Sequence, residues 1–125
     1  MVVGLIDSAI LIDYLRGYSP SGQWIHSMNH LGVSRAVLLE LIEGTADKRA
    51  YRKVIELVGQ FELVDTTTED VRWATDMLVQ YRHSHNVDTF DCLIAASSFR
   101  LDVPLYTRNH KHFAPMLGNS VIIPY

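Results

Sequence analysis

Asp7 directly follows the apolar run "VVGLI" (residues 2 to 6), and Glu40 stands inside "AVLLELI". Asp91 opens "DCLIAASSF", and Asn109 comes two residues after "VPLYT" (103 to 107). Asp7, Glu40 and Asp91 adjoin hydrophobic sequence, where an unpartnered charge is costly. Carboxylates held close together repel, and at least one is driven toward its protonated form unless something compensates. A divalent cation compensates. Oxygen donors from Asp, Glu and Asn suit hard ions with octahedral shells, chiefly Mg²⁺ or Mn²⁺. Such an ion also presents positive charge to a phosphodiester. The spacing alone leaves a second reading open, in which these residues are helix caps and surface carboxylates scattered over the fold.

The elements that carry them alternate. "VVGLI" is a short continuous apolar run with β-branched residues, the pattern of a strand covered on both faces. Ser8 is placed to cap a helix running through Arg16, with Gly17 ending it. A second helix is predicted from near Ser21 to Asn29, then a brief strand "GVS" (32 to 34) and a helix "AVLLELIEG" ending at Gly44. In 47–59 the residues Tyr51, Val54, Ile55 and Val58 share a helical face, and "FELV" (61 to 64) alternates as a strand does. Thr66 followed by Glu69 carries a capping-box signature for a long helix over about 69–83. "DTFDCLIAASSF" (88 to 99) is so apolar that its helix must be buried on most sides, with Asp88 capping it and Asp91 in its first turn. "VPLYT" and "VIIPY" (121 to 125) supply two further strands. Strands separated by helices predict an α/β domain with a mainly parallel sheet. In such sheets ligands gather at the carboxyl ends of the strands, where Asp7, Glu40, Asp91 and Asn109 can converge.

Bulk properties narrow the classes. The 125 residues fit one domain over 1–125, and 48% hydrophobic with 20% charged residues is ordinary globular composition. The apolar start "MVVGLIDSAILIDYL" lacks a basic leading region and carries Asp7 and Asp13, so it reads as a strand and helix rather than a signal peptide. No membrane association is expected. The lone Cys92 cannot form an internal disulfide; it reads as an inert packing residue in a reducing, cytoplasmic compartment. A net charge of −3 gives no general attraction to nucleic acid, so any such function needs a local device.

Three blocks in order then resemble those of a PIN-domain nuclease, and more narrowly a VapC-type toxin of toxin–antitoxin pairs. "GLIDSAILIDYLRG" (4 to 17) is similar to the opening strand, first aspartate and first helix of that family. "VSRAVLLELIEG" (33 to 44) resembles its second block, and "DCLIAASSFRLDVPLYTRNHKHF" (91 to 113) its third. The resemblance implies a three-layer α/β/α sandwich around the parallel sheet. It implies that Asp7, Glu40 and Asp91 bind Mg²⁺ or Mn²⁺, with Asn109 at a fourth position that holds an aspartate in many relatives. An amide is a poorer ligand, so Asn109 is expected to hold water or substrate. Ser8 and Thr107 are implied as donors that orient carboxylates or water. The implied activity is endoribonuclease: a water acidified by the ion attacks phosphorus in line, leaving 5′-phosphate and 3′-hydroxyl ends. Implied partners are an RNA substrate, a cognate antitoxin whose tail covers the site, and a second copy in a homodimer.

The remaining polar residues are weaker candidates. His83-x-His85 and His110-x-His112 lack the spacing and companion cysteines of common zinc sites and read as surface loops. "RNHKH" (108 to 112) is the most cationic stretch beside the proposed site, with His110 and His112 flanking it; Arg108, His110, Lys111 and His112 are either a solvated loop or contacts to the RNA backbone, and Arg16 and Arg35 are further candidates. Tyr14, Trp24, Trp73 and Phe90 lie in helical apolar patterns and read as core or interface. Two other classes compete. One is a catalytically weak PIN-like module that binds RNA or protein; the other is a haloacid-dehalogenase-type phosphohydrolase, whose Asp-x-Asp is contradicted by Asp7-Ser8-Ala9.

Overall fold

Five strands build one sheet in the computed structural model, which describes residues 1–125. They are β1 (Gly4–Ile6), β2 (Leu31–Ser34), β3 (Glu62–Val64), β4 (Leu105–Tyr106) and β5 (Val121–Ile122), arranged β3-β2-β1-β4-β5 with every pairing parallel. Seven helices connect them: α1 (Ser8–Leu15), α2 (Ser19–Ser27), α3 (Arg35–Glu43), α4 (Lys48–Val58), α5 (Thr68–His85), α6 (Thr89–Leu101) and α7 (His110–Leu117). Parallel strands require such crossovers, and the resulting three-layer α/β/α sandwich covers the sheet. Leu5, Ile6, Val33 and Leu105 are accordingly buried almost completely. Gly32 sits where backbone and side chains crowd, because a Cβ there would come within 2.7 Å of Val2.

The order of strands locates a crevice. The chain leaves β1 toward β2 and β3, then returns to lay β4 against the other side of β1. Connections leaving β1 and β4 therefore diverge, and the gap outside their carboxyl ends is the usual ligand position in an open α/β sheet. Asp7 follows β1 and Thr107 follows β4, so both stand on that gap.

Local chemistry explains the element ends, with several shifts from the sequence reading. Asp7, not Ser8, caps α1, its carboxylate accepting from the Ser8 backbone N–H. Gly17 closes that helix at φ 79°, a left-handed conformation that glycine adopts without strain. Helix α2 begins before Ser21, because Pro20 fits the first turn, where its missing N–H has no partner to lose. The capping box of α5 pairs Thr67 with Asp70, one residue beyond the Thr66–Glu69 pair. Asp88 does cap α6, and Asp91 returns the bond to the Asp88 backbone N–H. On α4 the inward face is Val54, Leu57 and Val58, while Tyr51 and Ile55 are exposed.

The largest correction is α7. The stretch read as a solvated loop starts a helix anchored by Phe113, which has no exposed surface. Pro115 hid it, since an interior proline reads as a breaker. His83 and His85 likewise lie on the last turn of α5, not in a loop, though both are exposed. Tyr14, Trp24, Trp73 and Phe90 are half-buried and pack on the core as expected.

Candidate metal centre and its identity

Asp7 is 4% exposed and fully engaged. Its Oδ1 accepts from the Ser8 backbone N–H at 2.8 Å, while the Ser8 hydroxyl lies at 3.4 Å, so Ser8 serves mainly through its backbone. Its Oδ2 accepts from Thr107 Oγ1 at 2.6 Å, a bond that spans the gap between β1 and β4. Burial pushes the Asp7 carboxyl up to about 6. The Thr107 and Ser8 hydrogen bonds oppose that rise, and the charges of Glu40 and Asp91 add to it.

Asp91 is raised as well, first by burial, with the charges of Asp88 and Glu40 adding to it. The backbone bond from Asp88 and the His112 ring pull the other way. Its Oδ2 takes the Asp88 N–H at 3.1 Å and lies 3.1 Å from His112 Nδ1. Glu40 reaches the same region from the second turn of α3, and its Oε1 is buried without a hydrogen-bond partner. Glu40 thus repels both aspartates while holding an unsatisfied oxygen. Each carboxylate comes from a different crossover, after β1, after β2 and ahead of β4.

Asn109 completes the edge. Its backbone N–H donates to Thr107 Oγ1 at 2.9 Å, and its amide end lies 2.9 Å from His112 Nδ1. It occupies the N-cap position of α7 without a side-chain cap bond, because the amide is turned to His112. No three His, Cys, Asp or Glu side chains close into a ready-made metal cage. The unpartnered Glu40 oxygen and the mutual repulsion fit a cation in the same place.

The PIN domain family model matches residues 4–115. The chain belongs to the PIN-domain family. Within it the chain is of the VapC type: it is 37% identical over 115 residues to Ribonuclease VapC10 of Mycobacterium tuberculosis, covering 87% of this chain and 84% of that one. Ribonuclease VapC19 of the same organism is 32% identical over 117 residues, covering 87% and 90%. A toxin-antitoxin complex from Klebsiella pneumoniae contains a chain of the same fold, with a TM-score of 0.79 at 21% identity over 98% of both chains.

Around this PIN-domain centre the other candidates sort by position. Arg108 is exposed and its guanidinium lies 4.8 Å from the Tyr125 ring centroid, while the Tyr125 hydroxyl donates to Asp13 at 2.7 Å. His110 and Lys111 are exposed on the first turn of α7. Arg16, with Lys53, borders a cavity of about 460 Å³ that Glu40 also lines. Arg35 is tied to Asp65 in an exposed ion pair. Burial raises the Cys92 thiol to about 11, as befits a packing residue. No helix is long and apolar enough to cross a membrane.

Sequence reasoning placed His112 beside the site only as part of the cationic stretch 108–112; its contacts with Asn109 and Asp91 were not foreseen.

Proposed function

We propose that this PIN domain is a Mg²⁺- or Mn²⁺-dependent endoribonuclease, the toxin of a type II toxin–antitoxin pair, acting in the cytoplasm. The observation that carries the reading is the repulsive set Asp7, Glu40 and Asp91, drawn from three crossovers to the β1–β4 gap with one Glu40 oxygen unpartnered. These three would hold the ion. When bound it supplies positive charge that acidifies water and offsets charge developing on the phosphate. Thr107 and the Ser8 N–H keep the Asp7 carboxylate oriented, and their hydrogen bonds favour its ionised form. Asn109 is held by Thr107 and His112 at the rim, suited to a water or a phosphate oxygen. Arg108, His110 and Lys111 offer exposed cations for the RNA backbone in a protein of net charge −3.

The names of VapC10 and VapC19 support RNA as substrate, and the Klebsiella complex supports an antitoxin partner. A homodimer is part of the same reading. The test is cleavage of a structured RNA by the full chain with Mg²⁺, with Mn²⁺ and with chelator. Cleavage confined to the metal-containing reactions, with 5′-phosphate products and loss in Asp7→Asn, is expected. Equal cleavage by Asp7→Asn would refute the reading, and RNA binding without turnover at any metal concentration would favour a binding module.

A further inference from the structure

A hydrogen-bonded relay crosses the turn between β4 and α7. Thr107 Oγ1 donates to Asp7 Oδ2 at 2.6 Å and accepts from the Asn109 N–H at 2.9 Å. Asn109 Nδ2 lies 2.9 Å from His112 Nδ1, and that ring nitrogen lies 3.1 Å from Asp91 Oδ2. Two carboxylates far apart in the chain are thereby joined through Thr107, Asn109 and His112, the link from Thr107 to Asn109 by way of the Asn109 backbone.

The chemistry of the last two links assigns a proton. A carboxylate that ligates a cation is ionised and only accepts, so for Asp91 to serve in that way the ring nitrogen facing it must carry hydrogen. A ring nitrogen that carries hydrogen cannot also accept from an amide N–H. Asn109 Nδ2 is the atom that lies 2.9 Å from Nδ1, a donor facing a donor, so the amide must turn over to present its oxygen, and the two acceptors then share one Nδ1–H. We propose that His112 is a positioning residue: held as the Nδ1–H tautomer, it fixes the Asp91 carboxylate by Oδ2 and leaves Oδ1 uncommitted for a divalent cation. This rests on the reading of Asp91 as a metal carboxylate.

The fold supports that role. Phe113, next to His112, is fully buried and anchors α7, and α7 packs against α6, which carries Asp91. The Asp88 N–H falls on the same Oδ2, so both restraints hold one oxygen and spare the other. Donors that orient a ligand in this way typically change metal affinity or activity by about 10–100-fold when removed.

Three variants of the full chain separate positioning from packing: His112→Leu, His112→Asn and His112→Gln. An asparagine amide nitrogen falls near the place of Nδ1, whereas glutamine reaches past it. Titration with Mn²⁺ alone, followed by calorimetry, should show His112→Leu weakened by about tenfold or more. His112→Asn should lie within about threefold of wild type, and His112→Gln should be as weak as leucine. Long-range proton–nitrogen NMR of the wild-type imidazole, without metal, should show the hydrogen on Nδ1. A ring protonated on Nε2 alone, wild-type Mn²⁺ affinity in His112→Leu, or equal rescue by asparagine and glutamine overturns the proposal. A wild type that takes up no Mn²⁺ overturns the functional reading instead, and the tautomer then decides whether His112 holds Asp91.

Discussion

Asp7→Asn should make the metal-free protein more stable at neutral pH while abolishing its activity. The folded-state carboxyl sits at about 6 against an ordinary 3.8. Two units at about 1.4 kcal/mol each make roughly 3 kcal/mol, by which burying the ionised form disfavours folding. The sign follows from proton binding. Between pH 4 and 6 the folded chain holds a proton that the unfolded chain has released, so stability falls as pH rises through that window. Above pH 6 the whole cost applies, and below pH 4 it is gone. Asparagine resembles the protonated acid in shape and carries no charge at any pH. Its Oδ1 can still accept from Ser8, while the Thr107 hydroxyl must reorient to accept from the amide. Denaturant unfolding in chelator should therefore show Asp7→Asn ahead by about 2–3 kcal/mol at pH 8, or roughly 6–10 °C in Tm for a chain of this length. The two proteins should converge near pH 4. Equal stability at pH 8, or a gap that does not change with pH, would refute the electrostatic account of the site.

Thr107→Val removes the 2.6 Å donor that lowers the Asp7 pKa. A charge-assisted bond of about 1.5–3 kcal/mol then lifts Asp7 a further one to two units, so protons compete with the ion. The Mg²⁺ concentration for half-maximal cleavage should rise about two- to tenfold at pH 7 and return toward wild type by pH 9. Asp88→Ala should cost about 1–2 kcal/mol in denaturant unfolding through the lost cap, yet keep cleavage, because its carboxylate holds the helix end and not the ion. Arg100→Met should cost about 2–3 kcal/mol by stranding the buried Asp70, below the usual range for a buried pair because the arginine is partly in water. Cleavage at 20 °C should survive it.

The sequence exposed the site at one level and concealed it at another. Asp7 was recognisable because a continuous apolar strand ends abruptly in a carboxylate, and strand ends are where an α/β sheet presents chemistry. Asp88 and Asp91 were recognisable because a nearly nonpolar helix needs a cap. These are local signals. Whether Asp7 or Ser8 caps α1 was not decidable locally, since both are good cap residues one position apart; Thr107, a hundred residues away, holds Asp7 in place. The Asp70–Arg100 pair is equally remote, separated by 30 residues and created only when α5 lies on α6. His112 was legible as a neighbour of the site, but its contact with Asp91 was not, because Asp91 lies on another helix.

The strand order converts those scattered signals into one place. With β1 central and β4 laid beside it against the direction of chain travel, the peptide leaving β1 and the peptide leaving β4 diverge around a single gap. Thr107 donates to Asp7 across that gap, and the same turn leads into α7, where His112 meets both Asn109 and Asp91. A chain of net charge −3 repels phosphodiesters as a whole. Here its acidic side chains meet at the one edge where neighbouring strands leave room for a ligand, so the repulsion they impose on one another falls where a cation can relieve it. Moving Glu40 or Asp91 a turn along its helix would take one charge out of that gap and leave less repulsion there for a cation to relieve.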